Sequence, residues 1–151
     1  MAYIGSGTGV VTLEVQNQPA RNLQYTLRVG EMGTSLSLLF IPNPGHSSTP
    51  VVQVAIDDYQ PGTNQYTSDQ IGKGIAVLVC AAFDYPHGPE YFSGVGSSGK
   101  VELSWTISGN ERIYTGYFWA YNMLGGGPPM SLKFAKFSFA TSDTSSLATA
   151  V

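Results

Sequence analysis

Charged residues are scarce in this chain. They make up 11% of its 151 residues, against about 25% in an average globular protein. The net charge is −3, and the seven lysines and arginines are scattered without a run. Nucleic-acid binding needs a basic face that offsets the phosphate charge, so the composition argues against a nucleic-acid partner. It also argues against a polybasic membrane anchor.

Cysteine is scarcer still. Cys80 is the only one, so no intrachain disulfide can form and stability must come from packing. It lies within the apolar sequence IAVLVCAAF, where no basic residue is near enough to favour a thiolate. We therefore interpret Cys80 as a small buried core residue and not as a nucleophile.

Catalytic and metal-binding motifs are missing. The two histidines, His46 and His87, belong to no His-x-His or HExxH pattern. The segment GVGSSGK matches neither a nucleophile elbow nor a phosphate-binding loop, because both require a following helix. We expect a protein that is not an enzyme and that carries no cofactor or metal.

Helical and membrane signals are also missing. No stretch of twelve or more residues carries a helical apolar stripe with caps. The longest apolar run is far short of the roughly 20 residues of a membrane-spanning helix. The N-terminus has no basic region or apolar core of a signal peptide. We expect a soluble chain, either cytoplasmic or released and particle-associated.

What the sequence does contain is strand signals about every dozen residues, separated by loops rich in its 18 glycines and 9 prolines. This pattern predicts an all-β fold, an antiparallel two-sheet β-sandwich or jelly roll with about eight strands and no substantial helix. We expect one domain over 1–140 and a flexible polar tail over 141–151. The predicted strands are 11–15, 23–29, 34–41, 51–56, 75–83, 101–107, 112–121 and 131–139.

The last of these strands contains an irregularity. Its apolar alternation changes phase in the middle, which would place its two halves on opposite faces of the sheet. A β-bulge near Ala135-Lys136 would correct the phase. The bulge would return four apolar side chains to one face: Leu132, Phe134, Phe137 and Phe139.

The strongest candidate site follows the buried run from Ile75 to Phe83. Carboxylates there accept hydrogen bonds from sugar hydroxyls, and tyrosine rings stack on the apolar face of a pyranose. The alternative is a proline-stiffened loop whose rings only cover the end of the fold. The candidate ligand-binding residues are Asp84, Tyr85, His87, Glu90 and Tyr91.

A second acidic loop follows the predicted strand 51–56. Asp57, Asp58 and Tyr59 offer two carboxylates and a ring, and we include them among the candidate ligand-binding residues. Their spacing matches no calcium loop. The alternative is an Asp pair that only initiates a turn.

A third candidate is the strand 112–121, which has aromatic residues on both faces. If Tyr117, Trp119 and Tyr121 point inward, then Tyr114 and Phe118 point outward, and the sequence does not decide between the two arrangements. Whichever set faces outward forms a patch of large rings, a feature of contacts with protein, lipid or sugar. The alternative is that a loop covers that set.

The middle of the chain resembles a known group. The sequence IAVLVCAAFDYPHGPEYF at 75–92, preceded by VVQVAID and followed by KVELSWTI, is similar to the actinoporin-like group of sea-anemone pore formers and fungal fruit-body lectins. The similarity covers under half of the chain, which lacks the long N-terminal amphipathic helix that the pore formers insert. The resemblance implies a β-sandwich that recognises sugar or lipid headgroups through aromatic loops.

Three functions fit these observations. The first is a lectin-like binding protein that recognises carbohydrate, or a glycolipid surface without spanning the membrane. The second is a self-assembling structural subunit of a capsid, decoration or filament type, since a low charge and a polar Ser/Thr surface suit faces that neighbouring copies cover. The third is a membrane-active actinoporin-like toxin. The first two predict glycoconjugate and homo-oligomeric partners respectively.

Overall fold

The computed structural model describes residues 2–16, 18–43, 49–57, 59–60, 64–69, 71, 77–84, 91–121, 124–125 and 131–144. Within these ranges the chain forms strands and no helix, so the all-β prediction is confirmed. In chain order the strands are β1 (Ala2–Val15), β2 (Arg21–Met32), β3 (Ser35–Pro42), β4 (Val51–Ile56), β5 (Gln65–Ser68), β6 (Val77–Asp84), β7 (Tyr91–Val95), β8 (Ser98–Ser108), β9 (Glu111–Tyr121), β10 (Leu124–Gly125) and β11 (Ser131–Asp143).

The described strands belong to one hydrogen-bonded antiparallel sheet, in the order β10-β7-β6-β4-β3-β2-β1-β11-β9-β8-β5. The predicted division into two sheets is therefore not confirmed. Eight strands lie where the sequence placed them. The other three, β5, β7 and β10, are only 4, 5 and 2 residues long and lie within segments predicted as loops.

The sheet is strongly curled, and contacts across its concave face show this. Strands β3 and β9 are four places apart in the sheet order, which corresponds to roughly 19 Å in a flat sheet. Yet the ring centroids of Phe40 on β3 and Phe118 on β9 are only 5.8 Å apart. The sheet therefore encloses its own core, as two packed sheets would.

Aromatic rings fill this core. Phe40 makes near edge-to-face contacts with three rings on β11, at centroid separations of 5.1 to 5.6 Å. Such contacts contribute about 0.5–1.5 kcal/mol each beyond the area that they bury. The β11 rings are Phe134, Phe137 and Phe139, all at most 2% exposed.

The predicted bulge in β11 is confirmed. The register against β9 shifts between Phe134 and Phe137, and the register against β1 shifts between Thr12 and Leu13. The extra residue corrects the alternation, so Leu132 and the three phenylalanines of β11 all face the core.

The C-terminal part of β11 extends beyond the predicted domain boundary at 140. Thr141 is fully buried, and its hydroxyl donates to the Arg112 carbonyl oxygen at 3.1 Å. The amide of Thr144 bonds to the Ile4 carbonyl oxygen at 2.8 Å. Residues 141–144 therefore belong with the sheet, whereas 145–151 of the predicted tail lie outside the described residues.

The N-terminal half of β1 was not predicted as a strand because glycines interrupt its apolar alternation. Gly7 lies where the β1 and β11 backbones approach each other closely. A Cβ atom there would lie 1.8 Å from the Ala140 carbonyl oxygen. Only glycine permits this separation, so the glycine-rich sequence belongs to the strand and does not end it.

Two short connections join the two margins of the curled sheet. Val95 ends β7 on one margin, and Ser98 begins β8 near the other. Three residues span at most roughly 11 Å, so the margins come close together at this end. A second connection, from Tyr121 to Leu124, crosses in the opposite direction. The β8–β9 hairpin is thus joined to β7 and β10 by short segments.

Candidate functional site

The convex face of β9 carries a row of exposed aromatic rings. Strand alternation directs Phe118 and Ala120 into the core, and therefore directs Tyr117, Trp119 and Tyr121 outward. Trp119 is 37% exposed and Tyr121 is 41% exposed, and Tyr117 is partly exposed. The three positions repeat about every 7 Å along the strand. The sequence left open which set of rings on this strand faces outward, and the structure shows that it is Tyr117, Trp119 and Tyr121.

Charged and hydroxyl side chains border the row. The register partners of Trp119 are Lys100 on β8 and Lys133 on β11. We call these two lysines and the three rings the β9 aromatic face. Beside it, Tyr117 is paired with Glu102, and Tyr121 is paired with Ser98 on β8 and Ser131 on β11. Rings that offer a flat apolar surface therefore alternate with groups that form hydrogen bonds.

Both lysines of the face are in weak ion pairs. Lys100 is 3.9 Å from Glu102, and Lys133 is 3.7 Å from Glu14. All four side chains are exposed, and such pairs contribute only about 0–1 kcal/mol. Either ammonium group can therefore exchange its partner for a ligand at little cost.

A different kind of ion pair closes the concave side at the opposite end of β9. Arg112 donates to the Glu31 carboxylate at 2.8 Å, and the Tyr59 hydroxyl donates to the same oxygen at 2.5 Å. The guanidinium also lies 3.8 Å from the centre of the Tyr3 ring. Glu31 is on β2, three places from β9 in the sheet order, or roughly 14 Å in a flat sheet. These contacts link β2 to β9 across the concave face and so stabilise the curled form of the sheet.

The protonation states within this cluster are fixed. Burial, followed by the hydrogen bond to Glu31, raises the pKa of Tyr59 far above its usual range. Burial alone would lower the pKa of Arg112, but hydrogen bonds to Glu31 and Tyr114 outweigh it and the net direction is upward. Burial raises the pKa of Tyr114 to about 12. The tyrosines stay neutral and the arginine stays charged at neutral pH, as a structural clamp requires.

The residues predicted in the acidic loop after β4 are separated by the structure. Asp57 is exposed directly after the strand. Tyr59 is only 1% exposed, because its ring packs 5.7 Å from that of Trp105 and its hydroxyl binds Glu31. The Tyr59 ring is therefore not on the surface, where we expected it to meet a ligand. Asp58 lies outside the described residues.

The other predicted group lies at the β6–β7 hairpin. Asp84 and Tyr91 are register partners at the end of these strands. The side chains of these two residues are not among those that the structure describes. The other three predicted residues, Tyr85, His87 and Glu90, lie wholly outside the described residues.

The backbones of Asp57 and Asp84, one from each predicted group, are far apart. Ile56, just before Asp57, is paired with Val77 at the start of β6, and Asp84 ends that strand. Seven residues of strand span roughly 23 Å.

An open groove of about 840 Å³ lies beside the terminal strand β5. It is lined by Gln65, Tyr66, Trp105 and Ile107, together with neighbouring polar residues. Trp105 is only 4% exposed and packs against Tyr59 and Tyr114, so its ring belongs to the core. The groove offers no row of rings comparable to that of the β9 aromatic face.

Metal-binding and membrane-spanning features were also sought in the described ranges. No group of three or more His, Cys, Asp or Glu side chains that could hold a metal ion occurs there. Those ranges contain no helix of the length and apolarity needed to cross a membrane.

Comparison of the chain with protein-family models, with curated proteins and with solved structures finds no match. The resemblance of residues 75–92 to the actinoporin-like group gains no support from these comparisons. The function is therefore argued from the geometry of the face alone.

The sequence also contains a feature that predicts the position of Lys100 beside Trp119. A two-residue turn at Gly109-Asn110 fixes the register of the hairpin, and that register pairs Lys100 with Trp119.

Proposed function

We propose that the protein is a lectin-like, non-enzymatic binding protein that takes carbohydrate on the β9 aromatic face. The observation that carries the proposal is the row of three outward rings on one strand of a packed sheet. An exposed row of large rings on a soluble surface marks a site of contact. A row also suits an extended ligand better than a single small molecule in a pocket.

The chemistry of the face fits sugars. The apolar faces of successive pyranose rings can stack on Tyr117, Trp119 and Tyr121. Sugar hydroxyls both donate and accept, and the neighbours of the row supply both roles: Glu102 accepts, and the hydroxyls of Ser98 and Ser131 do either. Because the opposite side of β9 is packed into the core, the rings are held in place before a ligand arrives.

The predicted loop residues remain part of the proposal as a second contact. Asp84 and Tyr91 are register partners on β6 and β7, and β7 ends at Val95, three residues before Ser98, the register partner of Tyr121. A ligand that binds the row could therefore extend toward β7. Tyr85, His87 and Glu90 follow or precede these strands in the sequence and stay in the proposal as candidate contacts. The two regions make separate predictions, which substitution can distinguish.

A glycan array followed by calorimetry tests the proposal. Trp119→Ala should weaken binding at least about tenfold, the effect expected of a central aromatic contact. Thr115→Ala, an exposed position on the same face of β9 four residues from Trp119, is the matched control and should change affinity less than about twofold. The double variant Tyr85→Ala plus Tyr91→Ala measures the loop. No binding to any glycan at millimolar concentration would contradict the proposal.

A self-assembling structural subunit is the second candidate, and one observation favours it. Two large apolar side chains are exposed on adjoining strands, Ile4 on β1 at 50% and Met32 on β2 at 71%. Contact with a neighbouring copy would bury them. Sedimentation at high protein concentration tests this candidate, and a strict monomer would count against it.

A further inference from the structure

We infer that the glycan bound by the β9 aromatic face is acidic, carrying carboxylate or sulfate groups. This inference rests on the proposed function and adds the chemical class of the ligand. Its basis is the position of the lysines. The chain has four lysines, and three of them, Lys100, Lys133 and Lys136, lie on the two strands that flank β9.

The lysines surround one ring of the row. Lys100 and Lys133 are the direct neighbours of Trp119, one on each side, and directly paired Cβ atoms are about 4.5–5.5 Å apart. Each side chain carries a compact charge on a flexible four-carbon stem. A sugar that stacks on Trp119 therefore has an ammonium group within reach of either edge. Charged substituents at those edges are the groups that such an arrangement binds.

The local charge balance points the same way. The chain as a whole carries −3, but the three lysines around the row face only two carboxylates, Glu14 and Glu102. Glu14 lies on β1, beyond β11, and is two strands from the row. The excess positive charge thus lies on the β11 side of the row, because Lys100 and Glu102 balance each other on β8.

The charges differ along the row. Trp119 has a lysine on each side, whereas Tyr117 has Glu102 on β8 and the bulge that carries Lys136 on β11. A carboxylate or sulfate would meet two positive charges at Trp119, but one charge of each sign at Tyr117. We therefore expect the acidic sugar unit to lie over Trp119.

The experiment compares two ligands that differ only in charge. An oligogalacturonate and its carboxyl-reduced neutral form share one backbone, and heparin with its desulfated form gives the sulfate pair. Calorimetry should show tighter binding of the charged member. Its affinity should fall between about 50 and 200 mM salt, as expected when ammonium groups bind fixed anionic charges.

The variants test the lysines themselves. Lys100→Gln combined with Lys133→Gln should reduce affinity for the acidic ligand at least about tenfold and should reduce affinity for the neutral form by a much smaller factor. Arg28→Gln, an exposed positive residue on β2, is the control for lost charge alone and should have little effect. Circular dichroism should show that all variants remain folded, since the altered side chains are exposed.

The outcomes separate the two proposals. Equal binding of the charged and neutral forms would overturn this inference and leave the carbohydrate-binding proposal standing. Loss of acidic-ligand binding only on Trp119→Ala, with no effect of the lysine variants, would do the same. No binding of any glycan would overturn both. A single-stranded thymidine oligonucleotide, which also offers rings and negative charge, is run in parallel, and tighter binding to it would overturn both as well.

Discussion

The two faces of β9 carry the same kinds of side chain in different surroundings. On the inner face Tyr114 and Phe118 are 1% exposed, and Phe118 lies 4.6 Å from Phe134 between ring centroids. On the outer face Trp119 and Tyr121 remain well exposed. Inner rings stabilise the fold by packing, whereas the size of the outer rings adds little to stability. The difference separates residues that hold the structure from residues that are available for binding.

The same division applies to the charges. The inner pair, Arg112 and Glu31, is nearly buried and closes the curl of the sheet. The outer pair, Lys133 and Glu14, is about half exposed and longer. Substitutions on the two faces should therefore have opposite consequences for stability and for binding.

The largest difference in stability is expected between substitutions of two glycines, Gly7 and Gly30. Gly7→Ala places a methyl group against the Ala140 carbonyl oxygen, and should lower the free energy of unfolding by more than about 4 kcal/mol or prevent folding. Gly30→Ala on β2 is the control, because nothing lies within 4 Å of the added Cβ. It should change stability by less than about 1 kcal/mol. Urea denaturation measures both, and a Gly7→Ala variant as stable as the control would contradict the close approach of β1 and β11.

Adjacent aromatic residues of β9 provide the next comparison. Phe118→Ala should cost about 3–5 kcal/mol of stability, because it opens a cavity among packed rings. Trp119→Ala should cost clearly less, about 1 kcal/mol, because the ring is partly exposed and its removal opens no cavity in the core. Thermal and urea unfolding test this, and similar losses for the two variants would remove the distinction between the faces.

Breaking the inner ion pair should cost more stability than breaking the outer one. Arg112→Ala leaves the Glu31 carboxylate buried without its cation, and should cost about 3 kcal/mol. Lys133→Ala should cost less than about 0.5 kcal/mol. Arg112→Met plus Glu31→Leu, combined with Tyr59→Phe to remove the hydroxyl that donates to Glu31, should recover much of the loss, since an apolar cluster leaves no buried charge. Equal costs for Arg112→Ala and Lys133→Ala would show that the inner pair does not hold the curl.

The last comparison concerns the inner face alone, as a dependence of stability on alkaline pH. Burial raises the pKa of Tyr25 above its usual value and that of Tyr114 to about 12. Above pH 10 the unfolded chain loses these protons while the folded chain keeps them, so stability is complete below pH 10 and then falls. Each buried tyrosine should contribute a slope of roughly 1.4 kcal/mol per pH unit. Urea denaturation across this range measures it, and an unchanged slope in Tyr114→Phe would contradict the assignment.

Hydrophobic patterning located eight of the strands and the bulge in β11, since each is a local property of consecutive residues: most strands alternate, and the run from Ile75 to Phe83 is continuously apolar. The patterning could not show which strands are neighbours. The predicted division into two sheets was not confirmed, because the periodicity of a strand is the same in a curled sheet and in a sandwich. The strands β5 and β7 have mixed polar and glycine-containing sequences of 4 and 5 residues, too short for a period to appear.

The site was predicted less well than the fold. The rings of 112–121 were identified, but their facing was undecided, because both sides of the strand carry large aromatic residues. The lysines were missed because they lie on other strands, although the turn at Gly109-Asn110 contained the register that brings Lys100 to Trp119. Tyr59 was expected at the surface because the sequence after β4 is polar. Its burial depends on Glu31, which is distant in sequence.

The position of β11 has a consequence for synthesis. This strand follows all the others in the chain, yet it lies in the interior of the sheet between β1 and β9. Until the ribosome has released residues 131–143, both of those strands present bare edges, which are prone to pair with other chains. Completion of the sheet therefore waits until residues 131–143 have left the ribosome. Truncations that remove β11 should aggregate and not fold as a smaller sheet.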